Sequence, residues 1–150
     1  EYNEYNLIIT SPDVDKDDLV FFRLREMGMD FPEDAIYTTV DMAEKDPETC
    51  RAFVKATFEG WEYARDNREE TLKVIMREVE DDPDELVTED HQAWMLGVCV
   101  DSVFVPEGSP RRTGVLARKD FDIMHDFLQK NGQLRQPFTY EEFVRLDAIE

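Results

Sequence analysis

Apolar positions recur at helical spacing from residue 46 onward and give way to short β-prone runs before it. Cys50, Phe53, Val54, Thr57, Trp61 and Ala64 fall at i, i+3, i+4, i+7, i+11 and i+14, the stripe of an amphipathic helix with one buried face. Asp46 supplies a capping oxygen at its start, and Pro47 suits the first turn, where a missing N–H costs nothing. Asn67 and Glu70 have capping-box spacing ahead of a second helix with Leu72, Ile75, Met76 and Val79, and the two helices are expected to form a hairpin. The acidic stretch from Glu80 to Glu85, around Pro83, reads as a solvated turn. Thr88 then caps a helix with His91, Trp94, Met95 and Val98 on one side. After a loop holding Gly108 and Pro110, a fourth helix runs from about Lys119 to Asn131, with Phe121, Met124, His125 and Leu128 inward and Gly132 as its stop. Thr139 and Glu142 form a capping box that opens a short terminal helix through Phe143 and Leu146.

The first 45 residues differ. Leu19 to Leu24 and Ile36 to Val40 are β-branched or aromatic runs bounded by Gly, Pro or Asp, which predicts two short strands. Two strands alone do not make a stable sheet, so further strands or a covering helix layer are expected from elsewhere, either from another part of the protein or from a second copy. The expectation is a mainly α-helical chain with two to four short strands, divided into a crossing segment over 1–45 and a helical part over 46–150.

Composition narrows the partners. With 41% hydrophobic residues and 2 Trp, 5 Tyr and 10 Phe, the 150-residue chain has the material for a core. Its 36 acidic against 17 basic residues give a formal charge of −19. That excludes nucleic acid as the expected partner, because binding the phosphate backbone needs a basic patch, and it disfavours an anionic membrane surface. No run of about 18 apolar residues is present, so the chain is read as soluble. It opens at Glu1 without an initiator Met or a leader, which reads as a processed or excised piece. Cys50 and Cys99 lie in no CxxC pair and read as two buried free thiols, with a disulfide left open.

Few residues carry the signature of a reaction. Asp13, Asp15 and Asp17 have the spacing that begins a calcium loop, but the sharp-turn position holds Asp18 and the twelfth position holds Leu24. A solvated acidic loop is the better reading, and no metal is expected. His91 and His125 sit on or beside apolar helical faces, outside any H-E-x-x-H spacing, and read as hydrogen-bonded core or flank histidines. Trp61 and Trp94 read as core, and Arg111 with Arg112 as a solvent-facing loop. Tyr2 to Asn6 places phenol, amide and carboxylate groups in five residues. This set could hydrogen-bond an aminopyrimidine edge, with Glu4 accepting from ring amines, although a frayed terminal segment is the plainer reading.

Several segments together resemble one family, the solute-binding proteins related to thiamine pyrimidine synthase and to the binding subunits of sulfonate and nitrate importers. Asn3-Glu4-Tyr5-Asn6 resembles the family's N-E-Y element, and Gly28 followed by Phe31-Pro32-Glu33-Asp34-Ala35-Ile36-Tyr37 its return strand. Asp46-Pro47-Glu48, Arg51 to Ala56 and Gly60-Trp61-Glu62-Tyr63-Ala64 resemble its most recognisable helix, and His91 to Leu96 and Gly114-Val115-Leu116 its closing helices. The resemblance implies an α/β type II periplasmic-binding-protein fold, of which this chain is the late crossing and C-terminal helices. It further implies a small heterocyclic ligand such as a thiamine pyrimidine precursor, bound by hinge closure without catalysis or cofactor, with Asn3 and Glu4 as ligand-binding residues. The expected partners are the permease of an ABC importer and the N-terminal part of the same protein, in the periplasm or lipid-anchored outside the cell. Two alternatives stay open: a pyrimidine synthase of the same fold that consumes pyridoxal phosphate, and a stand-alone, domain-swapped homodimer acting as a sensor module.

Overall fold

A computed structural model describes residues 2–29, 31, 34–80 and 88–145, and these are mainly helical, as the periodicity predicts. The α-helices are Tyr2–Thr10 (α1), Val40–Lys45 (α2), Pro47–Asp66 (α3), Arg68–Glu78 (α4), Glu89–Val103 (α5), Arg118–Lys130 (α6) and Tyr140–Phe143 (α7), with 3-10 turns at Lys16–Asp18 and Leu24–Met27. Beyond Glu80, the acidic turn lies outside the described residues, as do Pro32, Glu33 and Leu146. None of the described helices is long and apolar enough to cross a membrane.

Most helix ends are where capping chemistry puts them. The Asp46 carboxylate accepts from the Thr49 N–H at 3.1 Å and from its hydroxyl at 2.7 Å, and the Thr88 hydroxyl oxygen accepts from the His91 N–H at 3.2 Å. The Thr139–Glu142 box is complete. Gly132, at φ 66°, takes the left-handed conformation that ends α6; its N–H reaches Gln129 O, and that of Gln133 reaches Leu128 O. The Asn67–Glu70 box does not form. Asn67 instead donates its side-chain amide to Tyr63 O at 3.0 Å, closing α3, while Glu70 faces Lys73 at 3.4 Å.

The chain divides into two compact units, one of Glu1–Phe21 with Phe58–Val105 and the other of Phe22–Thr57 with Pro106–Glu150. In the first, Leu96 and Val100 of α5 are buried with Ala64, and Trp61, Leu72, Ile75 and Phe104 pack around them. Both α1 and α4 pack on α5, so α4 runs along α5 rather than back along α3 in the expected hairpin. Arg68 marks the close approach: its guanidinium lies 3.4 Å from Asp101, and a Cβ on Gly97 would meet it at 3.3 Å. The core face of α5 is Leu96 and Val100, whereas Trp94, Met95 and Val98 of the predicted side are half-buried. From Ala93 to Val100 helix α5 is apolar on every side, so its periodicity cannot choose a face.

The second unit centres on Phe121, which is buried against His125, Phe138, Tyr140 and Phe143 with ring centroids 5.5–5.9 Å away. The Tyr140 hydroxyl donates to Leu116 O at 2.6 Å. Arg118 lies over the Tyr140 ring and pairs with Glu141, joining α6 to α7. The stripe of α3 is only partly covered: Ala64 is buried, but Phe53 is 61% exposed.

No strand forms among the described residues. Leu19 to Arg23 runs without regular structure into the turn at Leu24–Met27, and Ile36 to Thr39 into α2, which Thr39 caps. A strand exists only through its ladder to a neighbour, and the described residues supply none. The side chains stay out, with Val20 75%, Phe22 71% and Tyr37 75% exposed.

Two expectations follow. Leu96→Ala should lower unfolding free energy by about 2–3 kcal/mol, and Phe53→Ala by no more than about 0.5 kcal/mol, read from urea midpoints; equal costs would mean that something covers Phe53. The hydrogen bonds from the Thr49 side chain and backbone hold the Asp46 carboxyl below its ordinary value of 3.8. Its capping contribution is therefore complete above that value and is lost as pH falls through the lowered one. Helicity measured between pH 7 and pH 2 should fall at the acid end, and less so in Asp46→Asn, whose amide caps without titrating.

Candidate functional site

The residues singled out at the start of the chain lie in a helix. Tyr2–Thr10 forms α1, with Asn3 and Glu4 in its first turn, so the frayed-terminus reading does not hold for this segment. Residues three apart share a helical face, and Asn3 and Asn6 use theirs to meet α5. His91 Nδ1 lies 2.7 Å from Asn6 Oδ1, and Nε2 lies 2.6 Å from Asn3 Oδ1. His91 is 7% exposed and Asn6 6%, while Asn3 and Glu4 are exposed. The Thr10 hydroxyl donates to Asn6 O at 2.7 Å, and Tyr5 packs its ring 4.7 Å from that of Phe21.

With both amide oxygens on ring nitrogens, both nitrogens act as donors. A neutral ring fills the same positions when one amide is turned so that its Nδ2 donates. Either way the buried imidazole is satisfied on both sides, as a core histidine is expected to be. The Glu4 carboxyl is held below the usual carboxylate range, first by a hydrogen bond from its own backbone N–H. Asn3, Asn6 and His91 thus form a hydrogen-bonded set, of which Asn3 is exposed.

The remaining candidates stay apart from this set or belong to packing. Asp15 accepts from the Asp17 N–H at 3.0 Å within an exposed acidic loop. Among the described residues, no group of three or more His, Cys, Asp or Glu could hold a metal ion. Arg111 lies 3.0 Å from Asp120, and Cys50 and Cys99 form no disulfide and are half-buried rather than buried. His125 departs from its expectation: it stacks on Phe121 and meets Phe138 edge-on, and its buried Nε2 has no hydrogen-bond partner. Surface hollows at Pro12–Asp17 and, in the other unit, beside Phe31 and Phe127 contain none of Asn3, Glu4, Asn6 and His91. The donors and acceptors of the amide–imidazole set, rather than concavity, make it the candidate.

In chemical terms the set is two side-chain amides on the two nitrogens of one imidazole. A family model described as NMT1/THI5 like matches residues 3–71. It takes in Asn3, Glu4, Asn6 and the whole of α3, and over that stretch it bears out the resemblance to the thiamine-pyrimidine family of solute-binding proteins and synthases. No curated protein and no solved structure matches the chain. Asn6 and His91 were missed as site residues; the spacing of Asn6 from Asn3 was the available signal, and nothing in the sequence pairs α1 with His91.

Asn6→Ala leaves a buried ring nitrogen unpaired and should cost about 1–3 kcal/mol. Asn3→Ala, at an exposed position that water can reach, should cost less. Hydrogen exchange of α1 amides checks the order of the two effects.

Proposed function

We propose that the chain is the C-terminal part of a solute-binding protein of an ABC importer, which captures a small heterocycle such as a thiamine pyrimidine precursor by closure of two lobes. The observation that carries this reading is the NMT1/THI5-like match over residues 3–71. The exposed amide and carboxylate of Asn3 and Glu4 support it, since an aminopyrimidine edge asks for adjacent donors and acceptors. So do the exposed apolar runs from Leu19 to Leu24 and Ile36 to Val40. They have β-forming composition and no ladder, which suits strands completed by the N-terminal part of the same protein in a periplasmic-binding-protein fold. Closure converts the free energy of ligand capture into a shape that a membrane permease can read. No bond is broken in this function, and the protein works in the periplasm or lipid-anchored outside the cell.

Native mass spectrometry of the protein from its source reads covalent mass, copy number and retained small molecules together. A retained ligand of pyrimidine size is the expected result. A bare dimer of the 150-residue chain, with amides of residues 19–24 and 36–39 protected from exchange, would instead identify a strand-exchanged module and remove the importer reading.

A further inference from the structure

The turn at Leu24–Met27 ends on Gly28, whose φ of 83° is the left-handed conformation that lets the Met29 N–H reach Leu24 O at 3.0 Å. The chain so turned meets α6, where Phe31 packs its ring 5.1 Å from that of Phe127. Beside this ring pair is a hollow of about 290 Å³. Met29 and Phe31 line it from the turn, and Ile123, Asp126, Phe127 and Lys130 line it from α6. All of these residues belong to one compact unit.

The α6 residues fall at i, i+3, i+4 and i+7 and so share one side of the helix, roughly opposite the side that carries Phe121 and His125. Asp126 and Lys130 stand one turn apart with the acid first, the order that favours an ion pair along a helix. Among the described residues, neither side chain makes an ion pair or a hydrogen bond, and both line the hollow. An acid, a base and an aromatic floor call for three complements in a ligand: an ammonium, a carboxylate, and an apolar or aromatic group. A ligand with the carboxylate alone is repelled by the formal charge of −19, and one with the ammonium alone leaves Lys130 without a counter-ion.

We propose that this hollow binds a small zwitterion of the amino-acid class with an apolar or aromatic side group, its ammonium on Asp126 and its carboxylate on Lys130. The inference goes beyond the solute-binding reading and shares no residue with the amide–imidazole set. The test is titration of the full chain with L-phenylalanine, followed by backbone amide chemical shifts. It is repeated with L-phenylalaninamide, which lacks the carboxylate, and with N-acetyl-L-phenylalanine, which lacks the ammonium. L-Phenylalanine should bind saturably and move the Gly28 and Phe127 amides, and each truncated ligand should bind roughly tenfold more weakly. Asp126→Asn should weaken L-phenylalanine by about the same factor and leave N-acetyl-L-phenylalanine unchanged. Lys130→Gln should weaken L-phenylalanine likewise and leave L-phenylalaninamide unchanged. Both side chains are exposed, so neither substitution threatens folding. Absence of L-phenylalanine binding, shifts gathered away from Gly28 and α6, or losses that do not depend on which ligand group is missing overturn the inference.

Discussion

Burying an imidazole nitrogen is costly unless it finds a partner, and for His91 that requirement ties α1 to α5. Leaving one nitrogen bare would forfeit a hydrogen bond to water with nothing in return. Asn3 and Asn6, one helical turn apart, supply both partners to His91. Thr88 does double duty here, since its hydroxyl caps α5 through the His91 N–H and so fixes the residue at the start of the helix. Further along α5, Leu96 and Val100 gather Ala64, Leu72 and Ile75 by apolar burial, which has no preferred direction. The polar end sets the position of α1, and the apolar end supplies the packing free energy. The placement of the exposed Asn3 depends on the first of these.

Helix identity and most helix ends were legible because they rest on local chemistry. The Asp46 cap, the Thr88 cap, the Thr139–Glu142 box and the Gly132 stop each involve groups within a few residues of one another. Asn67 shows the limit of that kind of reading: the same amide can open one helix or close the preceding one, and here it closes α3. Which side of a helix is covered was less legible. Periodicity groups residues on one face and says nothing about whether another element lies against it. Phe53 and Ala64 share one stripe of α3, yet one is exposed and the other is buried. On α5 the difficulty is greater, because apolar residues on every side leave no periodic contrast.

The β-prone runs were legible as composition and did not become strands. Val20, Phe22 and Tyr37 have the side chains of a sheet, but a strand is a property of at least two segments and their hydrogen bonds. The site divides along the same line. Asn3 and Glu4 came from resemblance to a short motif, and Asn6 was within reach of helical spacing. His91 lies 85 residues beyond Asn6, and no local pattern couples them. Apolar neighbours on α5 made a core histidine the natural reading, and that reading is correct as far as it goes. The missing step was the identity of its partners.

The acidic surface gives this arrangement its consequence. At a formal charge of −19, the chain surrounds any approaching ligand with negative potential, which favours neutral or cationic solutes and repels anions. Long-range attraction of that kind sorts ligands by charge alone and cannot tell an amine from a carbonyl on rings of equal size. Discrimination at that level needs fixed donors and acceptors at short range, where leaving one unpaired is costly.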